Sequence, residues 1–340
     1  MTLDEAVALS LVENLSRVDL TARLLGDDPF LLERARPLLD RAREARAQAA
    51  SLGIETVAWN DTRYPARLLT IPDCPPLLWL QGRLDAFDGP AVAIVGARSA
   101  SVAGVEIADR LAADLAARGV TVVSGLARGV DGAAHRGAVR TGRTIAVMAS
   151  GADRVYPAEH AGLAREITAR GAVLSEYGPG TVPLPFRFPQ RNRVISGLAD
   201  AVVVVEASER SGSLITAACA LEQGREVMAV PGSVLGGRNR GGHALLRDGA
   251  KIVERADDIV AELSHLPGWN SLGSTGASSD SPAGYGHAVL GHMVAGQAYA
   301  FDTLAAVSGL TGPALMGALS ALELAGRVRR LTGGGFLRVS

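Results

Sequence analysis

Residues Phe188 to Ala217 read FPQRNRVISGLADAVVVVEASERSGSLITA. The pattern is a helix, a buried strand and a second helix opened by Ser-Gly-Ser. Pro189 suits a first helical position, so Arg191 and Arg193 are expected in a first turn whose free N–H groups already make the field positive. A bound anion would relieve that conflict. The turn Ser211-Gly212-Ser213, after the strand at 201–206, adds a second cluster of donors. A phosphate-binding crevice is therefore expected, in preference to arginines that point to solvent or pair with Asp200 and Glu206.

The same texture extends on both sides of this stretch. AVAIV (91–95), VTVVSG (120–125), TIAVMASG (144–151), AVLSEY (172–177), AVVVVEA (201–207) and EVMAVPG (226–232) are apolar runs separated by helical patterns. Strands that are apolar throughout, alternating with helices, call for an α/β fold with a parallel sheet covered on both faces. In such sheets the ligand lies beyond the carboxyl ends of the strands. Gly96, Arg98, Ser124, Ser175, Glu176, Ser211 and Ser213 fall at those ends. The first turn lacks G-x-G-x-x-G, the second strand runs into Ser124 without an acidic residue for a ribose, and no G-x-x-x-x-G-K-[ST] occurs. These absences disfavour a nicotinamide enzyme and a P-loop phosphotransferase, and no cofactor or ATP hydrolysis is expected.

Bulk properties narrow the partner. The chain has 340 residues, 48% hydrophobic, enough for one large core plus small modules. Its formal net charge of -1 confines any nucleic-acid site to a local patch. Lys251 is the only lysine, so arginine, with its planar fork, supplies nearly all the positive charge. Cys74 and Cys219 lack metal-ligand spacing and read as buried reduced thiols, which argues against a zinc site. No apolar run approaches the ~20 residues of a membrane span, and Met1 to Asp27 has no signal-peptide pattern. A cytoplasmic location without membrane association is the expectation.

The flanks differ in texture. Residues 1–60 read as a small helical module, with Ala6, Leu9, Val12 and Leu15 at helical spacing and an arginine-studded helix from Phe30 to Ala49. Residues 54–88, with Tyr64-Pro65, Pro75-Pro76 and Leu77-Leu78-Trp79-Leu80, read as a strap into the next domain. Residues 264–286, rich in Gly and Ser, read as a flexible linker. Residues 287–340 read as three helices and a basic hairpin, with Asp302 capping one helix and Pro313 starting another. This is a winged-helix pattern whose third helix (Ala314 to Ala325) carries no Arg, Lys, Asn or Gln to read bases.

Seven ordered motifs carry a resemblance. Gly96-x-Arg98, SGLARGVDGAAH (124–135), TIAVMASGADRVYP (144–157), LSE (174–176), FPQRNRVISGL (188–198), SGSLIT (211–216) and REVMAVPG (225–232) are together similar to the DprA/Smf family of DNA-processing proteins. The likeness spans about residues 60–255. It implies an extended Rossmann-type, parallel-rich domain at 61–263, flanked by a helical, SAM-like module at 1–60 and a winged-helix module at 287–340. It also implies binding of single-stranded DNA without catalysis, usually as a homodimer, and loading of the RecA recombinase during natural transformation.

On that resemblance and the residue chemistry, the expected DNA-binding set starts with Gly96, Arg98 and Ser99 after the first strand and Ser124, Gly125 and Arg128 after the second. Arg187, Phe188, Arg191, Asn192 and Arg193 in the central motif, with Ser211, Gly212 and Ser213, complete it. Arg98 and Arg191 are the principal phosphate ligands of this scheme, and alanine at either is expected to weaken binding uniformly across sequences. Backbone N–H groups around Gly125, Gly212 and Ser213 add donors, and Phe188 or Phe186 offers a ring for base stacking. Asn192 is read as tying down its own turn. Asp131 is read as a helix cap, His135 as a brace, and Glu176 and Glu206 as ion-pair partners of Arg191 or Arg193. Where the family usually has Ser-x-Gly-x-Asn-x-Leu-Ile, this chain has Asn239-Arg240-Gly241-Gly242-His243-Ala244-Leu245-Leu246, which leaves open whether Arg238, Arg240 and His243 line the DNA path. The rival expectation is a LOG-like nucleotide-cleaving enzyme, against which Thr216 stands where a catalytic glutamate would be required.

Overall fold

The computed structural model describes residues 2–12, 33–269, 272, 289–294, 296–324, 326–331 and 335–339. Chain contacts divide into two units, Met1–Gly273 and Ser274–Ser340. The first unit begins with α1 (Leu3–Ser10), α2 (Leu39–Ser51), β1 (Glu55–Ala58), α3 (Ala66–Leu69) and β2 (Leu77–Gly82). The alternating part follows as β3 (Ala91–Val95), α4 (Val102–Ala117), β4 (Thr121–Ser124), α5 (Val130–Thr141), β5 (Thr144–Met148), α6 (Ala161–Arg170) and β6 (Ala172–Ser175). It continues through α7 (Arg187–Gly197), β7 (Ala201–Val204), α8 (Ser213–Glu222), β8 (Glu226–Ala229), α9 (Arg240–Arg247), β9 (Lys251–Ile252) and α10 (Ala256–Leu263).

The six expected strands are all present, as β3 to β8. Every residue of β3 to β7 is buried, as a sheet covered on both faces requires. The strand order is β1-β2-β6-β5-β4-β3-β7-β8-β9. All neighbouring pairs from β6 across to β9 are parallel, whereas β2 runs antiparallel to β6 and β1 antiparallel to β2. From β3 the chain steps outward to β6, then returns to place β7 on the other side of β3. The order therefore reverses between β3 and β7. Helices α4, α5 and α10 cover one face through Leu111, Leu115, Ala134 and Ile259. Helices α3, α7 and α8 cover the other through Leu68, Val194, Ile195 and Ala217. Connections diverging to opposite faces leave a gap beyond the carboxyl ends of β3 and β7.

Three expectations change here. The stretch read as a strap supplies β1 and β2, and residues 55–58, placed in the helical module by pattern, are a strand. Four-residue β1 is too short to show a period, and Leu77-Leu78-Trp79-Leu80 is an apolar run whose type only its neighbours decide. The N-terminal helices also lack a separate core: Leu9, Ala42 and Ala49 pack with Trp79, Met148 and Leu163. Chain expected to be linker from residue 264 folds back onto the sheet. Trp269 is fully buried and its indole N–H donates to Asp200 at 2.9 Å. Residues Leu15, Phe30 to Leu32 and the Gly/Ser-rich 273–286 lie outside the described residues.

The second unit contains β10 (Ala298–Tyr299), α11 (Phe301–Ser308), α12 (Gly312–Leu324), β11 (Val328–Arg330) and β12 (Phe336–Arg338), with 289–291 also helical. Its strands pair in the order β10-β12-β11, so the expected hairpin is one strand wider. Leu290, Leu304, Leu315, Leu319 and Phe336 form its core. Asp302 does not cap α11; Ala300 holds that position, and Asp302 lies in the first turn, where a carboxylate favours the helix dipole. Among the described residues no single helix is long and apolar enough to cross a membrane.

Candidate functional site

An open crevice of about 700 Å³ lies where the strand order reverses, lined by the turn after β3, the start of α7 and the loop from β7 into α8. A slightly larger cleft, about 780 Å³, opens at the opposite, amino ends of the strands around Ala91, Asp200 and Glu226. The smaller is the better site. In the larger cleft Arg67 is paired bidentately with Asp200, at 2.7 and 3.0 Å, and the amino ends of a parallel sheet lack the converging helix starts that bind anions.

Arg98 is an exposed cation of the crevice. Its guanidinium carbon sits 4.9 Å from the centre of the Phe188 ring. Tyr156 meets that ring edge-on at 5.6 Å and 61°. Among the described residues Arg98 has no carboxylate partner, so its charge is available to a ligand beside an aromatic surface. Ser99 is exposed next to it and passes its carbonyl to Arg238, whose Nη1 donates at 2.9 Å. Arg238 remains 60% exposed, with Glu206 at 3.8 Å, and so spans the two walls.

Besides α7, three helices start at this crevice, and two of their N-termini already hold an internal carboxylate. Glu206 accepts from the Ser101 N–H at 3.2 Å and from its hydroxyl at 2.5 Å, at the cap of α4. Glu206 is thus not the partner of Arg191 or Arg193 that its position in the chain suggests. Asp131 lies in the first turn of α5, where Gly129 is the cap residue, and accepts from Gly125 N–H at 3.1 Å and Ala127 N–H at 3.4 Å. It braces the loop before its helix. Burial pushes its carboxyl up, opposed chiefly by the Arg191 charge. The third helix, α8, begins at Ser213 with no side-chain cap. Ser211 and Ser213 hydroxyls bond each other at 2.7 Å, and Gly212 faces open space. Of the three starts, α8 is the one that holds no carboxylate; its Ser213 N–H lies 3.4 Å from Ser211 Oγ, and its Leu214 and Ile215 N–H groups donate to Ser211 O and Gly212 O at 3.1 and 3.2 Å.

The central motif helix departs from expectation. Helix α7 begins at Arg187 with Phe186 as its cap residue, so Pro189 is third rather than first. Proline is tolerated there because none of the first four N–H groups has a partner inside the helix. Arg191 and Arg193 accordingly lie beyond the first turn, and both are buried. Arg191 forms the floor of the crevice. Its Nη1 donates to Gly125 O at 2.9 Å and to Val147 O, and burial draws its guanidinium down to about 10, with Asp131 opposing. It stays a cation at neutral pH. A Cβ on Gly125 would meet that guanidinium at 2.6 Å, so glycine is required there for the arginine to reach the floor. The Gly125 N–H, expected to face a ligand, is engaged by Asp131.

Arg193 points out of the crevice. It joins Asp73 at 2.8 Å and Glu176 at 2.7 Å, pinning the segment before β2 to the sheet, as expected for Glu176. Asn192 does not hold its own turn: its amide donates to Gly212 O at 3.2 Å, coupling α7 to the start of α8. Ser124 is buried and donates to Ile94 O at 2.7 Å, joining β4 to β3. Arg128 is exposed and paired with Glu159 at 2.8 Å outside the crevice lining. Arg187 stands over Tyr177 and Phe186, at 5.1 and 5.5 Å from the ring centres. Gly96 lies in the lining, closely packed against Val130 and Glu206 O. Gly129, with φ 71°, lets α5 start so near the β3 turn that a Cβ would fall 2.2 Å from Ala97 O.

Tyr156 and Arg238 line the crevice without being expected there as a pair. Tyr156 was visible inside the TIAVMASGADRVYP motif, but nothing in its spacing tells that it meets Phe188. Two further polar residues have structural roles. The Asn239 amide donates to Ser233 O at 3.1 Å and His243 Nε2 lies 3.1 Å from Gly232 O, so both clamp the turn after β8. Arg240 pairs loosely with Glu209, at 3.8 Å. Cys74 is buried and Cys219 half-buried, neither in a disulfide, and among the described residues no three His, Cys, Asp or Glu side chains gather to hold a metal ion.

A doubly wound parallel sheet whose order reverses between β3 and β7, with a crevice at the reversal, defines a Rossmann-type α/β protein. The chain belongs to the family of the DNA recombination-mediator protein A, DprA/Smf: that family's model matches residues 55–264, and the DprA winged helix domain matches 275–334. The DNA processing protein DprA of Streptococcus pneumoniae is 46% identical over 203 residues, covering 59% of this chain and 72% of that protein. An X-ray structure of DprA from the same species superposes with a TM-score of 0.63 at 38% identity, covering 77% of this chain and 93% of that one. A structure of DNA processing protein A from Helicobacter pylori, described for its single-stranded DNA binding mode, gives 0.57 at 28% identity, covering 62% and 95%.

Proposed function

We propose that this chain is a DNA-processing protein that binds single-stranded DNA in the β3/β7 crevice, without catalysing a reaction on it, and passes the strand to a recombinase. The carrying observation is Arg98, unpaired and stacked on Phe188 beside the N-terminus of α8, which holds no carboxylate. An arginine held against a ring suits a strand whose bases are unpaired, because a phosphate and the neighbouring base are then engaged together. Ser211, Gly212 and Ser213 supply uncharged donors to the next phosphate. Arg191 supplies positive potential from the floor. The RecA recombinase as recipient, action as a homodimer, a role in natural transformation and a cytoplasmic location rest on family membership. At the helix start where the nucleotide-cleaving rival needs a glutamate, this chain has the buried Thr216, which supports binding over cleavage.

Fluorescence anisotropy with labelled single-stranded and duplex oligonucleotides across a salt series tests the reading. The wild type is expected to prefer the single strand with little sequence preference. The Arg98→Ala/Arg238→Ala variant is expected to bind more weakly and to lose about 1.4 from the slope of log K against log salt, at ~0.7 per phosphate contact. Salt-insensitive binding, or undiminished binding by the double variant, would sink the site.

A further inference from the structure

Beyond the crevice, residues 178–186 (GPGTVPLPF) lead into α7 and carry large apolar side chains turned to solvent. Val182 is 54% exposed, Leu184 36% and Phe186 57%. Val182 and Leu184 flank the less exposed Pro183, and Phe186 follows in the turn that opens α7, where the Arg187 N–H donates to Leu184 O at 3.0 Å. The segment is anchored. Gly180 N–H donates to the Asp153 carboxylate at 2.9 Å, Gly151 N–H to Thr181 O at 2.9 Å, and Arg187 to Val182 O. The exposure is thus presented by a fixed backbone, and a cluster of this size on a soluble domain marks an interaction surface.

Arg187 closes this surface on the crevice side. Its guanidinium lies over the rings of both Tyr177 and Phe186, and among the described residues it has no carboxylate partner. Pro185 and Phe188, one residue before Phe186 and one after Arg187, already line the crevice. The surface therefore continues the crevice directly, with the same combination found at Arg98 and Phe188: an uncompensated arginine against an aromatic face.

We infer that Phe186, Arg187 and Tyr177 form a second stacking platform, on which the nucleotides leaving the crevice are carried over the Val182–Leu184–Phe186 ridge. This rests on the proposed crevice and adds the strand's exit path to it. Bases fit the ridge because they bring flat apolar faces, and the adjoining backbone brings the negative charge that Arg187 lacks. A protein partner would meet the ridge with apolar side chains and would leave Arg187 unanswered.

Length dependence separates the two sites. Binding of oligothymidylates of about 6 and about 12 nucleotides, within the range a single-strand site covers, is compared for wild type, Phe186→Ala, Arg187→Ala and Arg98→Ala. The platform predicts that wild type gains affinity from the shorter to the longer strand. Phe186→Ala and Arg187→Ala should each lose about 5- to 150-fold on the longer strand, the range for one lost stacking contact, and bind the shorter as wild type does. Arg98→Ala should weaken both. Equal binding of the longer strand by wild type and Phe186→Ala overturns the platform while leaving the crevice intact, and a loss of self-association or of recombinase capture instead would assign the ridge to a protein. Failure of wild type to bind either strand overturns the crevice itself. Phe186 is largely exposed, so an unchanged tryptophan-fluorescence unfolding midpoint confirms that any lost binding is local.

Discussion

Arg191→Ala is expected to be first a folding mutation and only second a binding mutation, in contrast to Arg98→Ala. Arg191 is 3% exposed, donates to two main-chain carbonyls and compensates the buried Asp131. Its removal leaves Asp131 with two backbone N–H donors and, of the two cations that favour its charge, only Arg98. Each of the two carbonyls left without a donor costs ~1–3 kcal/mol unless water from the open crevice replaces it. Taking both carbonyls, about 2–6 kcal/mol is removed from a typical domain stability of about 5–15 kcal/mol. Arg98 is exposed, and its stacking on Phe188 is worth only ~0.5–1 kcal/mol. All three tryptophans, Trp59, Trp79 and Trp269, lie in the first unit. Urea unfolding followed by their fluorescence therefore reports that unit alone. Arg191→Ala should lower the midpoint by several kcal/mol equivalents more than Arg98→Ala, and Asp131→Asn added to it should restore part of the loss. Equal midpoints for the two single variants, or no rescue by Asp131→Asn, would refute this assignment of Arg191.

Two further predictions concern buried charge elsewhere. His135 is fully buried and its Nδ1 lies 2.7 Å from the Thr144 hydroxyl, which itself donates to Val122 O, so Nδ1 carries the proton and the ring is neutral. Burial depresses its pKa to about 3 from 6.5. The unfolded chain then binds a proton below about pH 6.5 that the folded state refuses, and stability should fall at about 1.4 kcal/mol per pH unit from there towards pH 3. Asp131, raised by burial, works in the opposite direction, so the His135 contribution is read as the difference from His135→Asn in unfolding free energy between pH 7 and 4.5. A parallel pH profile for the two proteins contradicts it. Arg193→Ala should cost about 3–5 kcal/mol by stranding Glu176 in the interior, while the folded fraction keeps wild-type affinity for single-stranded DNA because Arg193 faces away from the crevice. Reduced affinity in a variant of unchanged urea midpoint would instead return Arg193 to the site.

The alternation of wholly apolar strands with helices was sufficient, on the sequence alone, for a parallel sheet covered on both faces, because only that environment removes every side chain of a strand from water. It also located the turns after β3, β4 and β7 proposed to meet the ligand, since polar residues in such a sheet collect at the carboxyl ends. The family followed from motifs at those turns. Which charges face a ligand was decided by tertiary structure. Arg98, Arg191 and Arg193 have the same chemistry and all lie in the family's motifs, yet Arg98 lies open on Phe188, Arg191 is buried under Gly125, and Arg193 is drawn to Asp73, more than a hundred residues away in the chain. The same holds for the helix starts. Glu206 and Asp131 occupy two of them, leaving α8 without a carboxylate, and neither pairing has a signature in local spacing. The edge strands β1 and β9 were likewise unreadable, because segments of two to four residues owe their conformation to the strand beside them rather than to their own periodicity.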